Sequence, residues 1–312
     1  DDWEKREELR LWKKVKDNAI IGRRTGSGVV GLGDMIAAMN LKYGSEENLK
    51  FVDKIFKIFN HSLFDSSVEM AKEIGPFPIF DWNKEKNNQM LLRIKDENLE
   101  LFEKIKKYGH RNISLSTVAP TGSISILSQV TSGIEPLFMM SYIRRRKIDE
   151  NDKTTQVNFV DQNGDKWQEY KVYHPKLKVW MEITGETDIS KSPYFESCAE
   201  DIDWKNRVYL QSIIQKNITH SISSTINLPE NVSVDKIKEI YETAWESGCK
   251  GITVYRKNCR TGVLIDYKKD VEKKNKKFKQ YEAPKRPKEL PADVFHFKIK
   301  GEEHYVSIGL ME

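Results

Sequence analysis

Residues able to do chemistry are concentrated in one short run, Ala119-Pro120-Thr121-Gly122-Ser123-Ile124-Ser125. Pro120 fixes the turn, and Gly122 has no Cβ to hold a ligand away from the backbone. Thr121, Ser123 and Ser125 bring hydroxyls. The preceding residues 113–118 alternate at first and are β-branched at their end, which predicts a strand. A helix beginning near Ser123 would aim free N–H groups and the positive end of its dipole at the same point. That geometry suits a phosphate. Each hydrogen bond to a charged group contributes roughly 1.5–3 kcal/mol, so three or four would anchor a nucleotide tail. A strand-to-helix turn capped by Ser and Thr uses the same residues, and on chemistry alone both readings stand.

Other groups are weaker candidates. Gly26-x-Gly28-x-x-Gly31 matches the dinucleotide fingerprint, but it follows a charged helix and Arg23-Arg24, where the fingerprint needs a buried strand. These glycines are read instead as close packing of a helix against backbone. The three cysteines, Cys198, Cys249 and Cys259, are an odd and sparse set that suits a reducing compartment. None has CxxC spacing, and no histidine lies near Cys249 or Cys259, so no metal site is expected. Cys198 has Glu196, Glu200 and Asp201 close in sequence, and acidic neighbours raise a thiol pKa rather than activate it. The six histidines are scattered and read as structural or surface groups.

The elements that must position these residues can be read from periodicity and caps. Residues 3–21 predict a helix with Leu9, Trp12, Val15, Ala19 and Ile20 among its apolar positions, stopped at Gly22. A short helix to about Leu41 follows the glycine run. Ser45 caps a helix whose apolar face includes Val52, Ile55, Phe56 and Phe59. Gly75-Pro76-Phe77-Pro78 breaks the pattern, and the polar stretch 81–109 is helical near 99–106. Residues 144–175 read as polar and loop-rich, and 204–217 as a helix. Strands are expected at 223–227 and 251–255. Between them Ser233 caps a helix with Ile237, Ile240, Tyr241, Ala244 and Trp245 as its buried face. Helices alternating with short apolar strands imply an α/β fold with largely parallel strands. Residues 294–300 and 304–310 alternate across Gly301-Glu302-Glu303 as a β-hairpin.

The chain has 312 residues and a net charge of +5. Residues 266–290 hold ten Lys/Arg against five Asp/Glu, so this stretch carries the whole excess and the remainder is neutral. A solvated linker is expected there, and nucleic-acid binding by a charged groove is not. No apolar run reaches the roughly 18 residues of a membrane span, and no charged-apolar-small signal pattern opens the chain. A cytoplasmic protein is expected. The domains expected are 1–265, a Lys-rich linker at 266–290, and the truncated hairpin of a small β-containing module at 291–312. Neither end reads as a natural domain boundary.

The longer motifs add up to a family. Arg111-Asn-Ile-Ser-Leu-Ser-Thr-Val-Ala-Pro-Thr-Gly-Ser-Ile-Ser125, followed by Thr131-Ser-Gly-Ile-Glu-Pro136, closely resembles ribonucleotide reductases, and more narrowly the adenosylcobalamin-dependent, class II enzymes. Gly22-Arg-Arg-Thr-Gly-Ser-Gly-Val-Val-Gly-Leu-Gly-Asp34, His220-Ser-Ile-Ser-Ser-Thr-Ile-Asn-Leu-Pro229 and Glu246-Ser-Gly-Cys-Lys-Gly-Ile-Thr-Val-Tyr-Arg256 are similar to the same group, in collinear order.

The resemblance implies the second half of a ten-stranded α/β barrel, with a linker and the start of a small C-terminal module. It implies reduction of the ribose 2′-OH by a thiyl radical that adenosylcobalamin initiates. Pro120, Thr121, Gly122, Ser123 and Ile124 match the family's substrate-phosphate loop. Tyr255 matches a tyrosine near the barrel centre. In class I enzymes a second tyrosine follows it as a relay, whereas Arg256 follows here, as suits class II. The family's Asn-Pro-Cys-x-Glu radical loop does not occur in these 312 residues. The radical and redox cysteines are therefore expected on a complementary N-terminal reductase chain or half, with a ribonucleotide as the other partner. The alternatives are a class I large-subunit fragment, or a non-catalytic chain that binds a nucleotide or a partner.

Overall fold

The structure is a computed structural model that describes residues 2–148, 155–160, 166–257, 292–299 and 302–309. The chain divides into two units, Asp1–Ile265 and Asp266–Glu312. The first carries helices α1 (Trp3–Gly22), α2 (Leu32–Ala38), α3 (Glu46–Ile74), α4 (Trp82–Glu85), α5 (Gln89–Glu97), α6 (Leu99–Tyr108), α7 (Gly122–Ser128), α8 (Pro175–Thr184), α9 (Trp204–Gln215) and α10 (Val234–Glu246). Its strands are β1 (Ser141–Lys147), β2 (Phe159–Val160), β3 (Lys166–Tyr173), β4 (Thr225–Leu228) and β5 (Thr253–Arg256). The second unit carries the antiparallel pair β6 (Ala292–Ile299) and β7 (Glu302–Gly309), with Ala292 opposite Gly309 and Ile299 opposite Glu302. The Lys-rich stretch 266–290 and Cys259 lie outside the described residues.

Parallel pairing organises the first unit. Thr25 N–H donates to Ser114 O (2.9 Å) and Thr117 N–H to Ser27 O (2.9 Å). His220 N–H donates to Ser116 O (2.9 Å) and Ser223 N–H to Val118 O (2.8 Å). β4 then pairs parallel with β5, from Thr225 opposite Thr253 to Leu228 opposite Arg256. The α/β reading holds, with parallel pairing around residues 114–118 and in β4–β5, whereas β1, β3 and β2 pair antiparallel. Residues 113–118 join through single bridges at Ser116 and Val118, not through a regular ladder. The segment 25–28, read from sequence as part of a helix-packing run, is an extended neighbour of theirs.

α3 is the central support. Ser45 caps it, its Oγ accepting from Asn48 N–H at 3.2 Å. Its buried positions Asn48, Val52, Phe56, Asn60, Phe64, Val68 and Ala71 recur mostly every four residues and form one stripe. Val52 and Phe56 pack with Leu32, Ile36, Leu210, Ile214 and Ile222. Phe64 and Val68 pack with Leu91, Ile94, Phe102, Ile105 and Leu115. α3 thus braces both flanks of the 114–118 segment.

Four expectations need correction. Gly22 is the last helical residue of α1, and Arg23 takes the left-handed cap at φ 49°. A Cβ on Gly22 would stand 3.3 Å from Ile113 Cγ2, so close packing is what uses the glycine. The described residues of 144–175 include a regular ribbon that the loop-rich reading missed, β1 and β3 pairing antiparallel from Ser141↔Tyr173 to Lys147↔Trp167. Charged residues along that exposed ribbon hide the alternation. α5 falls in the stretch left unassigned; Asn98 ends it and caps α6, accepting from Leu101 N–H at 3.0 Å. On α10, Ile240 and Ala244 are buried, but Tyr241 and Trp245 are 48% and 79% exposed. That helix packs through a narrower stripe, and these two residues lie one step further round it.

Candidate functional site

The 114–118 segment ends at Val118, and the chain turns through Ala119 and Pro120 into α7. Thr121 stands at the N-cap with φ 53°, a backbone conformation that β-branched residues rarely adopt. Its side chain holds it there. Oγ1 donates to Pro120 O (2.8 Å) and accepts from Gly133 N–H (2.9 Å). Ser125 is buried, and its Oγ lies 2.9 Å from Gly122 O and 2.7 Å from Ser132 Oγ. Two of the three hydroxyls named from sequence therefore fix the shape of the loop. Ser123 is exposed, and its hydroxyl has no partner among the described residues.

The backbone beside it is equally open. None of the described residues accepts from the N–H groups of Gly122, Ser123 or Ile124. A Cβ at Gly122 would meet open space. Packing does not require that glycine, so its consequence is an unobstructed approach to three outward N–H groups. Pro120 and Ile124 are exposed at either side. The loop lies at the carboxyl end of a parallel segment, the end at which open α/β sheets bind ligands.

The glycine run presses against the flanks of this loop. A Cβ on Gly26 would stand 2.9 Å from Thr117 Cγ2, one on Gly28 2.5 Å from Thr117 O, and one on Gly33 2.8 Å from Glu135 O. The close-backbone reading holds, but the surface met is the extended 114–118 segment and the chain after α7, not a helix. The amides at the start of α2 are already used. Gly31 N–H donates to Thr131 O (2.8 Å) and Leu32 N–H to Gly133 O (3.3 Å). That disposes of a dinucleotide site there on geometry as well as on sequence.

Five charged or polar side chains to which the sequence reading gave no role hold the flanks of the loop in place. Asp34 is buried and accepts from Thr131 N–H (2.7 Å), His174 Nε2–H (2.7 Å) and Tyr194 Oη–H (2.6 Å). Burial alone would raise its pKa, but those three hydrogen bonds outweigh burial and lower it. On the other side, Glu135 accepts from Arg207, whose side chain is almost wholly buried, and from Thr225 N–H at 2.8 Å. Arg207 also donates to Thr225 O (2.6 Å) and lies 5.7 Å from the centre of the Tyr43 ring. The segment 131–136 is thus tied to α2 at one end and to β4 at the other. Asp34 and its side-chain partners are 140 and 160 residues apart, so no sequence spacing announces them.

Tyr255 lies on β5 opposite Asn227, partly buried, and is not among the residues that hold the loop. Cys198 is buried; desolvation and then the nearby Asp201 carboxylate push its thiol up to about 12. Burial pushes Cys249 to about 11. Both stay protonated near neutral pH, which suits structural thiols. Among the described residues no group of three or more His, Cys, Asp or Glu could hold a metal ion, and no helix is long and apolar enough to cross a membrane.

The family model for the ribonucleotide reductase barrel domain matches residues 11–255. The chain belongs to the ribonucleotide reductase family. The match takes in the glycine run, the 119–125 loop, the 131–136 segment and the β4–β5 pair. A vitamin B12-dependent ribonucleoside-diphosphate reductase of Mycobacterium tuberculosis (strain ATCC 25618 / H37Rv) is 27% identical over 262 residues, covering 78% of this chain and 32% of that protein. The ribonucleoside-diphosphate reductase subunit alpha of Helicobacter pylori (strain J99 / ATCC 700824) is 29% identical over 255 residues, covering 76% of this chain and 29% of that one. The class Id ribonucleotide reductase alpha subunit of Actinobacillus ureae superposes with a TM-score of 0.53 at 20% identity, covering 78% of this chain and 40% of that one. The reductase fold is therefore shared, and the chain spans about a third of the length of these two curated reductases.

Proposed function

We propose that this chain is the part of an adenosylcobalamin-dependent ribonucleotide reductase that holds the phosphate of the ribonucleotide. The observation that carries the reading is the loop itself. Gly122, Ser123 and Ile124 present unclaimed N–H groups beside the free Ser123 hydroxyl, with open space over Gly122. Phosphate oxygens accept from such a set, as they do at helix N-termini generally. Pro120 and Thr121 give the loop its turn, and the bonds from Thr121 and Ser125 keep it from collapsing. Set in advance, the donors need no reordering when substrate arrives.

The Mycobacterium relative's name supports the cobalamin assignment, and Arg256 after Tyr255 supports it independently, because no second relay tyrosine is present. When bound, cobalamin supplies the radical by homolysis of its cobalt–carbon bond. The residues at the loop fit phosphate and not the corrin ring: they are N–H groups, a hydroxyl and exposed aliphatic side chains, with no cobalt ligand among them. This chain's part is accordingly to bind and orient the substrate. The thiyl cysteine belongs to residues outside these 312. No Asn-Pro-Cys-x-Glu loop occurs among them, Cys198 is buried and Cys249 half-buried, and both thiols are held protonated.

Ser123→Asp places a carboxylate among the N–H groups that would meet the phosphate. Calorimetric titration with a ribonucleoside diphosphate and a triphosphate should show affinity falling at least about tenfold, a loss of ~1.4 kcal/mol. Unchanged affinity for both would remove the loop from the site.

A further inference from the structure

A cavity of about 410 Å³ lies away from the loop, at the amino ends of the parallel segments. Ser114 lines it, and at about 3.3 Å per extended residue the loop beginning at Pro120 is roughly 20 Å further along. Its rim is cationic: Arg24, Arg93, Lys216 and Lys250 face it against the single carboxylate of Glu85. None of these four cations forms an ion pair among the described residues, though Glu97 and Asp53 act on Arg93 from further off. Lys250 is anchored instead to a carbonyl, donating to Thr219 O at 2.5 Å, and Arg93 is turned to Lys216 O. His220 lines the same cavity as Arg24 and Lys250, and desolvation, then these two cations, lower its pKa.

The floor is different in kind. Phe64, Leu91 and Ile218 line it beside the buried His110. His110 Nδ1 lies 2.7 Å from Asn112 O, and burial lowers its pKa, so the ring is neutral. Phe64, Phe77 and Phe80 meet it edge-on with centroids 5.2–5.5 Å away, which fixes the ring in place. Uncompensated cations above an apolar floor, in a cavity within the usual range of roughly 300–1,000 Å³ for small-molecule sites, select an anion that carries an apolar body.

We infer that this cavity is a second binding site, which takes a phosphate-bearing small molecule of nucleotide size, its phosphates on Arg24 and Lys250 and its body on the Phe64–Leu91 floor. It is independent of the 119–125 loop. The test is calorimetric titration of the chain at low salt with adenosine triphosphate and with inorganic tripolyphosphate. Ser123→Asp, in which the loop is blocked, should still bind both probes saturably, with adenosine triphosphate the tighter. Added to Ser123→Asp, Arg24→Glu and Lys250→Glu should weaken both at least about tenfold. Arg24→Gln and Lys250→Gln give the same reading with less charge change should the reversed variants misfold. Acetylation mapped by mass spectrometry adds a measurement that needs no variant: adenosine triphosphate should protect Lys250 and leave the exposed lysines of α1 reactive. Absence of saturable binding, unchanged affinity in the Arg24 and Lys250 variants, equal acetylation of Lys250 with and without the nucleotide, or tighter binding of tripolyphosphate would overturn the assignment.

Discussion

Asp34 is where a single residue decides most. One carboxylate satisfies a backbone N–H from the 131–136 segment and two side chains from elements far along the chain. An asparagine in its place would offer one acceptor oxygen and an amide that points donors at donors. Asp34→Asn should cost about 2–3 kcal/mol in urea unfolding near neutral pH, the scale for losing a charged hydrogen bond and stranding its partners. The sign of the pH dependence follows from the lowered folded pKa. Stability from Asp34 is fully present above the unfolded value of about 4 and is lost as pH falls through the lower folded value. The gap between wild type and Asp34→Asn should therefore persist from neutral pH down to about pH 4 and close in more acid solution. A gap that stays constant down to about pH 2 would show that the carboxylate charge contributes nothing.

Among the elements, two glycines make opposite predictions. Gly28 lies where the 25–28 segment meets the 114–118 segment, and a Cβ there would be 2.5 Å from Thr117 O, a backbone atom. Gly28→Ala must push the segments apart and should destabilise by about 1–3 kcal/mol in thermal or urea unfolding. Gly122 sits in the first turn of α7 over open space. Gly122→Ala should leave stability unchanged or raise it by up to about 1 kcal/mol, because alanine favours the helix. On the proposed reading of the loop it should nevertheless weaken ribonucleotide binding, because the added methyl stands in the open space left for the phosphate. The helices on which these contacts rest were legible where caps and periodicity agreed, as with Ser45 before α3 and Ser233 before α10. They were not legible where one asparagine serves two helices, as Asn98 does, or where an exposed ribbon such as β1–β3 carries charge on both faces.

Taken whole, the molecule carries the loop proposed to hold phosphate, and neither described cysteine, Cys198 or Cys249, is held as a thiolate. The 312-residue chain with adenosylcobalamin, a dithiol and a ribonucleotide should give no deoxyribonucleotide by chromatographic assay. Adding a polypeptide that carries the Asn-Pro-Cys-x-Glu loop should restore turnover. Turnover by the chain alone, or a stable inactive complex with both cofactor and substrate present, would refute this division of labour.

Local order along the chain was enough to establish the family, the alternation of helix with short parallel strand, and the position of the 119–125 loop. Caps, periods of two and 3.6, and motifs in a fixed succession carry that information. The same order marked the glycine run as a point of close backbone approach but put a helix there, where two extended segments meet. What the loop's groups do was settled by packing. Thr121 and Ser125 hold the loop and Ser123 faces outward, because Gly133 and Ser132 come back against it after α7. Asp34 with His174 and Tyr194, and Glu135 with Arg207, follow the same logic. Hydrogen bonds between residues 72 to 160 positions apart depend on how the elements pack, and local patterning carries no record of them.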